Sequence, residues 1–422
     1  MPFQSRSLRV TTLLAAALLL SLGVAAWNSS SSRASVAHPA SAAPIKLGFF
    51  SILTGADELY PDAQAGAKAA VRGINARGGI DGHQVVLETC DAQSNVDVAE
   101  QCARKFVTDH VVAAVGNLDN YGPEETPILQ SAGIPIIGDE SLDSSTQYNS
   151  PVEFPYSSGF VGEFAAGSYY GLKVLKPALK SYAFVGLQIP VVAALESSVE
   201  STVKKQGGTW DGFISMPETT TAFAPYVAAV MAKNPKVVYL GMSGAQGAEF
   251  ALAAEAAGAK FRIFHTAQAY PPATLASLGP KTAFAKSILF DSDVPAASAT
   301  SEFPALKTFN SDIALEYKAG DSYAGPKYRS IAQEEVWYSF HAAFVVMQKI
   351  KGSITAATTL KELRVAKNLD IGLQSPWTPN AKGPKGYTRV SNWQEYMLKE
   401  SNGTFALASP KSFSVESFVT GS

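Results

Sequence analysis

Cysteine is nearly absent from this chain of 422 residues: there are two, Cys90 and Cys102. That excludes a disulfide-dense scaffold and any zinc site built on repeated Cys-x-x-Cys pairs. An excess of either charge is lacking too. Basic and acidic residues number 34 and 36, the formal net charge is -2, and there is neither a polybasic stripe nor an acidic tail. Nucleic acid and anionic membrane are thereby excluded as the main partner, and net charge says nothing about a ligand. Histidine is sparse. His38, His83, His110, His265 and His341 are scattered without metal-ligand spacing and read as surface or packing residues. The motifs of common catalysis are missing: no Gly-x-Ser-x-Gly elbow, no His-Glu-x-x-His, no Gly-x-x-x-x-Gly-Lys-Ser/Thr loop. Gly241-Met242-Ser243-Gly244 lacks the second glycine at the required spacing. The first strand-to-helix turn, Ser51-Ile52-Leu53-Thr54-Gly55, lacks the Gly-x-Gly-x-x-Gly of a dinucleotide fold. We expect no catalytic residue, no metal and no cofactor.

Long apolar runs are confined to the start of the chain. Arg6 and Arg9 precede an apolar run over residues 11–26, the charged and hydrophobic regions of an export signal. Small-residue cleavage positions at Val24-Ala25-Ala26, Ala40-Ser41-Ala42 or Ser41-Ala42-Ala43 put the mature start within residues 27–44. An uncleaved anchor is the alternative, because the run is only just shorter than the roughly 17–25 residues of a spanning helix. No cysteine follows the run, so a thioether-linked lipid has no attachment site. The expected location is periplasmic, cell-surface or extracellular. In such an oxidising compartment Cys90 and Cys102 can pair, adding about 3 kcal/mol by chain entropy; two buried free thiols are the alternative.

Apolar residues are plentiful, 46% of the chain against 17% charged, a globular composition too long for one core and suited to two lobes. Strand and helix patterns alternate along it. Residues 45–50 form an apolar strand, Pro61-Asp62 starts a helix with Ala67, Ala70, Val71 and Ile74 on one face, and Gly78-Gly79 ends it before a strand over 84–90. The next helix has Val98, Cys102 and Phe106 on its inward face, and strands follow at 111–115 and 134–137. Glu153-Phe154-Pro155-Tyr156-Ser157-Ser158 then reads as a crossing into a second lobe of like design. Its strands are expected at 182–187, 210–215, 237–240 and 262–265. A strand at 288–290 and helices at 303–317 and 331–350 read as a return to the first lobe. A strand at 395–398 with a turn at Asn402-Gly403 leads back to the second.

The order of these segments resembles the type I periplasmic binding proteins, the solute receptors of ABC importers typified by the branched-chain amino acid (Leu/Ile/Val) binding proteins. The resemblance rests on residues 45–115, on Phe223-Ala224-Pro225-Tyr226 followed by Asn234-Pro235-Lys236-Val237-Val238-Tyr239-Leu240, and on the closing Ser375-Pro376-Trp377-Thr378-Pro379-Asn380, Gly386-Tyr387 and Arg389-Val390-Ser391-Asn392. It implies an α/β fold of two Rossmann-like lobes, each with an open parallel sheet, joined by a hinge. Residues 1–43 would be signal peptide and Ser/Ala/Pro-rich linker, 44–155 and 288–385 the first lobe, and 156–287 and 386–418 the second. It further implies a monomeric receptor that closes on a small solute and hands it to ABC permease and ATPase subunits. A receptor reporting to a signalling partner uses the same closure and is the alternative; an adhesive or structural exported protein is a third reading.

In open parallel sheets, ligands sit beyond the carboxyl ends of the strands. The candidate ligand-binding residues in the first lobe are therefore Ser51, Thr54, Tyr60, Asn117, Asp119, Tyr121, Asp139, Glu140 and Ser141. In the second they are Gln188, Ser243, Gln268 and Asp291, and His265 stands at a strand end facing the same cleft. The resembled amino acid receptors hold the ligand carboxylate with hydroxyls of the first lobe and its ammonium with a Tyr and an acid of the second. Here Asn117, Asp119, Asp139 and Glu140 stand where hydroxyls are expected, and Ser243 and Gln268 near the positions of the Tyr and acid. Those carboxylates would repel a ligand carboxylate, so the expected solute is neutral or cationic: an amide, amine or polyol, with Tyr60 or Tyr121 as an aromatic wall.

Overall fold

The computed structural model describes residues 43–55, 59–141, 146–278, 284, 287–373, 375–409 and 411–421. The expected signal peptide and linker, apart from Ala43, and residues 142–145 of the loop after the fourth strand lie outside them. Among the described residues no helix is long and apolar enough to cross a membrane.

The first sheet takes five parallel strands in the order β2-β1-β3-β4-β5: β1 (Ile45–Ser51), β2 (Val85–Asp91), β3 (Ala113–Val115), β4 (Ile136–Ile137) and β5 (Glu153–Phe154). Helices α1 (Pro61–Ala76), α2 (Val96–Thr108) and α3 (Gly122–Ala132) alternate with them. Pro61 starts α1 where its missing N–H costs nothing. The alanine-rich face of α1 is buried and lies close to a later helix.

After β5 the chain crosses to the second sheet. Helix α4 (Gly159–Tyr169) leads to β6 (Ser181–Leu187), α5 (Pro190–Lys205), β7 (Thr209–Met216), α6 (Ala224–Lys233), β8 (Val237–Gly241), α7 (Gly244–Ala256), β9 (Arg262–Thr266), α8 (Pro272–Ser277) and β10 (Leu289–Ser292). The chain then returns to the first lobe as α9 (Ala305–Lys318), α10 (Ile331–Met347) and α11 (Ala356–Val365), and ends on the second with β11 (Gln394–Ser401), β12 (Thr404–Leu407), β13 (Phe413–Ser414) and α12 (Glu416–Thr420). The second sheet runs β12-β11-β10-β9-β8-β6-β7, with β13 beside β11.

Two expectations are corrected here. The strand expected at 288–290 does not open the return to the first lobe: β10 pairs in parallel with β9 and antiparallel with β11, so it belongs to the second sheet and the crossing follows Ser292. Nor is the second sheet purely parallel. A hairpin through Asn402 and Gly403, both at positive φ, makes β11 and β12 antiparallel, as a two-residue turn demands.

Packing in the first lobe is close. A methyl group added at Gly66 of α1 would stand 2.3 Å from the carbonyl oxygen of Gln333, so glycine is what lets α1 meet α10. Ion pairs Arg77–Asp312, Arg72–Glu316 and Lys68–Asp321 tie α1 to α9 and the segment after it, and Trp337 Nε1 donates to Asp312 at 3.0 Å. Cys90 and Cys102 form a disulfide, which removes the alternative of two free thiols.

Candidate functional site

Between the lobes lies a cavity of about 540 Å³. Most of its wall comes from the carboxyl ends of the second-lobe strands and the helices that follow. Leu187 ends β6, Leu240 and Gly241 end β8, His265 and Thr266 end β9, and Ile189, Val191, Val192 and Leu195 belong to the start of α5. Phe160 and Phe164 of α4 and Met242 complete an apolar surface, and Ser243, Gln246, Gln268 and Glu218 give it a few polar groups. The first lobe contributes Leu59, Tyr60 and Asn120. No lysine or arginine is among the described residues that line it.

Of the helix starts around this cavity, that of α7 is already occupied, whereas those of α5 and α8 carry no side-chain cap. Ser243 caps α7: its hydroxyl accepts from Gln246 N at 3.2 Å, and the Gln246 side chain accepts from Ser243 N at 3.3 Å. At α3 the carboxylate of Asp119 accepts from Tyr121 N at 2.9 Å. At α7 the donor that would receive a ligand carboxylate is met by the protein's own hydroxyl, whereas the first turn of α3 carries no side-chain cap.

His265 is buried with both ring nitrogens engaged, Nδ1 at 2.9 Å from the Tyr270 hydroxyl and Nε2 at 3.0 Å from the Met242 carbonyl. Burial pushes its pKa down to about 4, so it is a neutral packing residue at neutral pH.

Of the residues singled out in the sequence, the structure brings Tyr60, Ser243, His265 and Gln268 to the cavity wall. The others are placed elsewhere. Thr54 is exposed and donates through Oγ1 to Asp91 at 2.6 Å, which orders the loops after β1 and β2. Ser51 is buried at the end of β1, and Asn117 Oδ1 accepts from Phe50 N. Tyr121 packs beside Ile52, Ala92 and Ala99, leaving the neighbouring Asn120 at the cavity. Gln188 is exposed between the two wall residues Leu187 and Ile189, its backbone N–H bonded to Met216. Ser141 is buried, its carbonyl accepting from Tyr148 at 2.9 Å. Asp291 is buried within β10.

Asp139 and Glu140 meet other acids, not the cavity. Asp139 accepts from Gln147 at 2.9 Å and lies against Glu153; burial pushes it up to about 7. Glu140 accepts from Gln268 of the second lobe and lies against Glu163; burial and the nearby Asp293 push it up to about 8. Asp119, against Glu125, is raised by burial to about 6. Glu163, Asp293 and Glu335 each bring a carboxylate oxygen within 4.8 Å of the others, a spacing a cation could bridge. Asp293 and Glu335 lie close enough to share a proton, and we assign no metal there.

A family model for periplasmic binding proteins matches residues 44–396. The chain belongs to the periplasmic binding protein family. None of the curated proteins matches its sequence. Solved structures of periplasmic binding proteins share its fold. A fatty acid ABC transporter substrate-binding protein from Thermomonospora curvata superposes with a TM-score of 0.75 at 16% identity, over 90% of this chain and 94% of the other. A solute-binding protein of an ABC transporter from R. palustris, in complex with 4-hydroxybenzoate, gives 0.69 at 17% identity, over 88% and 98%. A branched-chain amino acid transporter substrate-binding protein from Streptococcus pneumoniae, in complex with isoleucine, gives 0.68 at 17%, over 88% and 99%. At these identities the likeness establishes the two-lobed α/β fold.

The cavity residues that the sequence did not single out are Leu59, Asn120, Glu218, Gln246, Thr266, Thr274 and the apolar wall. Leu59 carried no signal in the sequence; the structure leaves it 44% exposed at the cavity.

Proposed function

We propose that this periplasmic binding protein is the extracytoplasmic receptor of an ABC importer, and that its cargo is a small organic solute with an apolar body and no carboxylate. The observation that carries this reading is the cavity between the lobes: an aliphatic and aromatic wall, a few uncharged hydrogen-bonding side chains, one acid and, among the described residues, no lysine or arginine. A carboxylate entering it would be desolvated without a cation to meet it. An amide or amine would find Gln268, Gln246, Ser243 and Glu218 as partners, and its apolar part would displace water from Leu240, Met242 and Val192. The apolar wall favours amides and amines over the polyols that the loop sequences alone left open. Tyr60, Leu59 and Asn120 would make the first-lobe contacts, so that the solute binds best when the lobes are together.

A thermal-melt panel on the protein from Ala43 onward, refolded to strip bound solute, tests this. A ligand that binds only the folded state adds about 2.7 kcal/mol at a hundredfold excess over Kd. The expected outcome is a raised melting temperature with one class of neutral or amine-bearing apolar solutes. A rise confined to carboxylates would refute the proposed cargo, and no rise with any class would count against a receptor.

A further inference from the structure

Six carboxyl groups gather where the lobes join. Glu140 follows β4 and Glu335 lies in the first turns of α10, both in the first lobe; Glu163 is on α4 of the second lobe; Asp293 begins the crossing after β10. Asp291 on β10 and Glu395 on β11 stand beside them. Glu163, Asp293 and Glu335 bring carboxylate oxygens within 4.8 Å of one another, and Glu140 lies against Glu163. Buried carboxyls this close are held together by sharing a proton, which requires one of them to stay un-ionised. Both Glu335 oxygens and Asp293 Oδ1 are buried with no hydrogen-bond donor to meet them. The void between Glu140, Asp293, Glu335 and Tyr156 is only about 10 Å³, no more than one water occupies.

The surroundings offer no charge to replace that proton. Asp139 lies beside Glu140 and pairs with Glu153; Glu334 on α10 faces Arg329; Ser158 donates to Glu395. Gln268 and Thr266, from the end of β9 and the loop after it, donate to Glu140 and Glu163 as neutral groups. Tyr156 and Tyr338 face the cluster and are held protonated by burial. His265 is neutral, and Arg389 is set against Glu153. Ionised together, these acids would repel one another in a place water does not reach, and parting the lobes is the way to hydrate them.

We propose that Glu140, Glu163, Asp293 and Glu335 form a proton-operated latch across the hinge, so that acid holds the lobes together and a rise in pH lets them part. The shared protons are lost when the lobes separate and each carboxyl regains water, so closing takes up protons. Each proton taken up on closing weakens solute binding about tenfold per pH unit across the range in which it is lost. As regulation of the same cleft the latch rests on the receptor reading for its use, but its test needs no solute.

The test is small-angle X-ray scattering of the solute-free protein from Ala43 onward at pH 5 and pH 8.5, with circular dichroism on the same samples. The expected result is a larger radius of gyration at pH 8.5 with helix content unchanged. The double variant Glu163→Gln, Glu335→Gln should stay compact at both values, because glutamine keeps the shape and hydrogen-bonding capacity but cannot ionise. If that variant does not fold, Asp293→Asn carries the same expectation. An unchanged wild-type radius, an expansion that persists in the folded variant, or expansion with loss of helix overturns the proposal. So does compaction at pH 8.5 on adding millimolar calcium or magnesium and reversed by EDTA, which would make the cluster a cation cage. Failure of the solute panel leaves these results untouched.

Discussion

Taking the protein from pH 5 to pH 8 should cost it about 3 kcal/mol of stability. Burial and neighbouring acids raise Asp139 to about 7 and Glu140 to about 8 in the folded chain, whereas unfolded carboxyls titrate near 4. Through this window the folded state holds protons that the unfolded chain has released, so stability falls as pH rises. The contribution is fully present below about pH 4 and exhausted once the pH passes the folded values. One proton, that of Asp139, retained over the two pH units from 5 to about 7, at about 1.4 kcal/mol each, gives the figure. We count one proton because the two acids share neighbours and because Glu140 is only part-buried by surface area. Urea unfolding followed by circular dichroism at pH 5, 6.5 and 8, at fixed ionic strength, should show the midpoint falling with an unchanged slope. Asp139→Asn, which keeps the bond from Gln147 but cannot ionise, should flatten the profile. A midpoint that is constant or rises between pH 5 and 8 would refute the reasoning.

Two further outcomes follow from the packing. Replacing both Cys90 and Cys102 by serine should remove up to about 3 kcal/mol of stability, read as a lower melting temperature. Solute binding should be untouched, since the bond joins β2 to α2 and neither residue lines the cavity. Gly244→Ala would place a methyl group 1.7 Å from the backbone oxygen of Ala269, a cavity residue. Overpacking of this kind costs about 1–3 kcal/mol, and the displaced loop should make any solute-induced rise in melting temperature smaller than in wild type.

The architecture was legible because its signals are local. Pro61 at a helix start, the Asn234-Pro235 step before β8 and the Asn402-Gly403 hairpin each fix backbone geometry within a few residues. What failed was lobe membership. Residues 288–290 read as a strand, but three apolar residues say nothing about which sheet will take them, and pairing with β9 and β11 decided it. The cleft was legible by its loops and not by its wall. Tyr60, Ser243 and Gln268 followed from the rule that ligands sit at strand ends, whereas Leu187, Ile189, Val191 and Val192 look in sequence like ordinary core. The carboxyl cluster was the least foreseeable part. Asp139 and Glu140 are visible as neighbours, but Glu163, Asp293 and Glu335 come from distant segments, and exposure is the usual state of an acid.

Isothermal titration of the solute-free protein with matched triplets, sharing one apolar body and differing only in a carboxylate, amide or amine head group, tests the nature of the cleft most directly. The account predicts that within a binding triplet the amide or amine is held and the carboxylate is not, and that Met242→Arg, which puts a cation into the apolar wall, weakens the binding. A triplet whose carboxylate binds tightest, as an amino acid receptor would require, would contradict it.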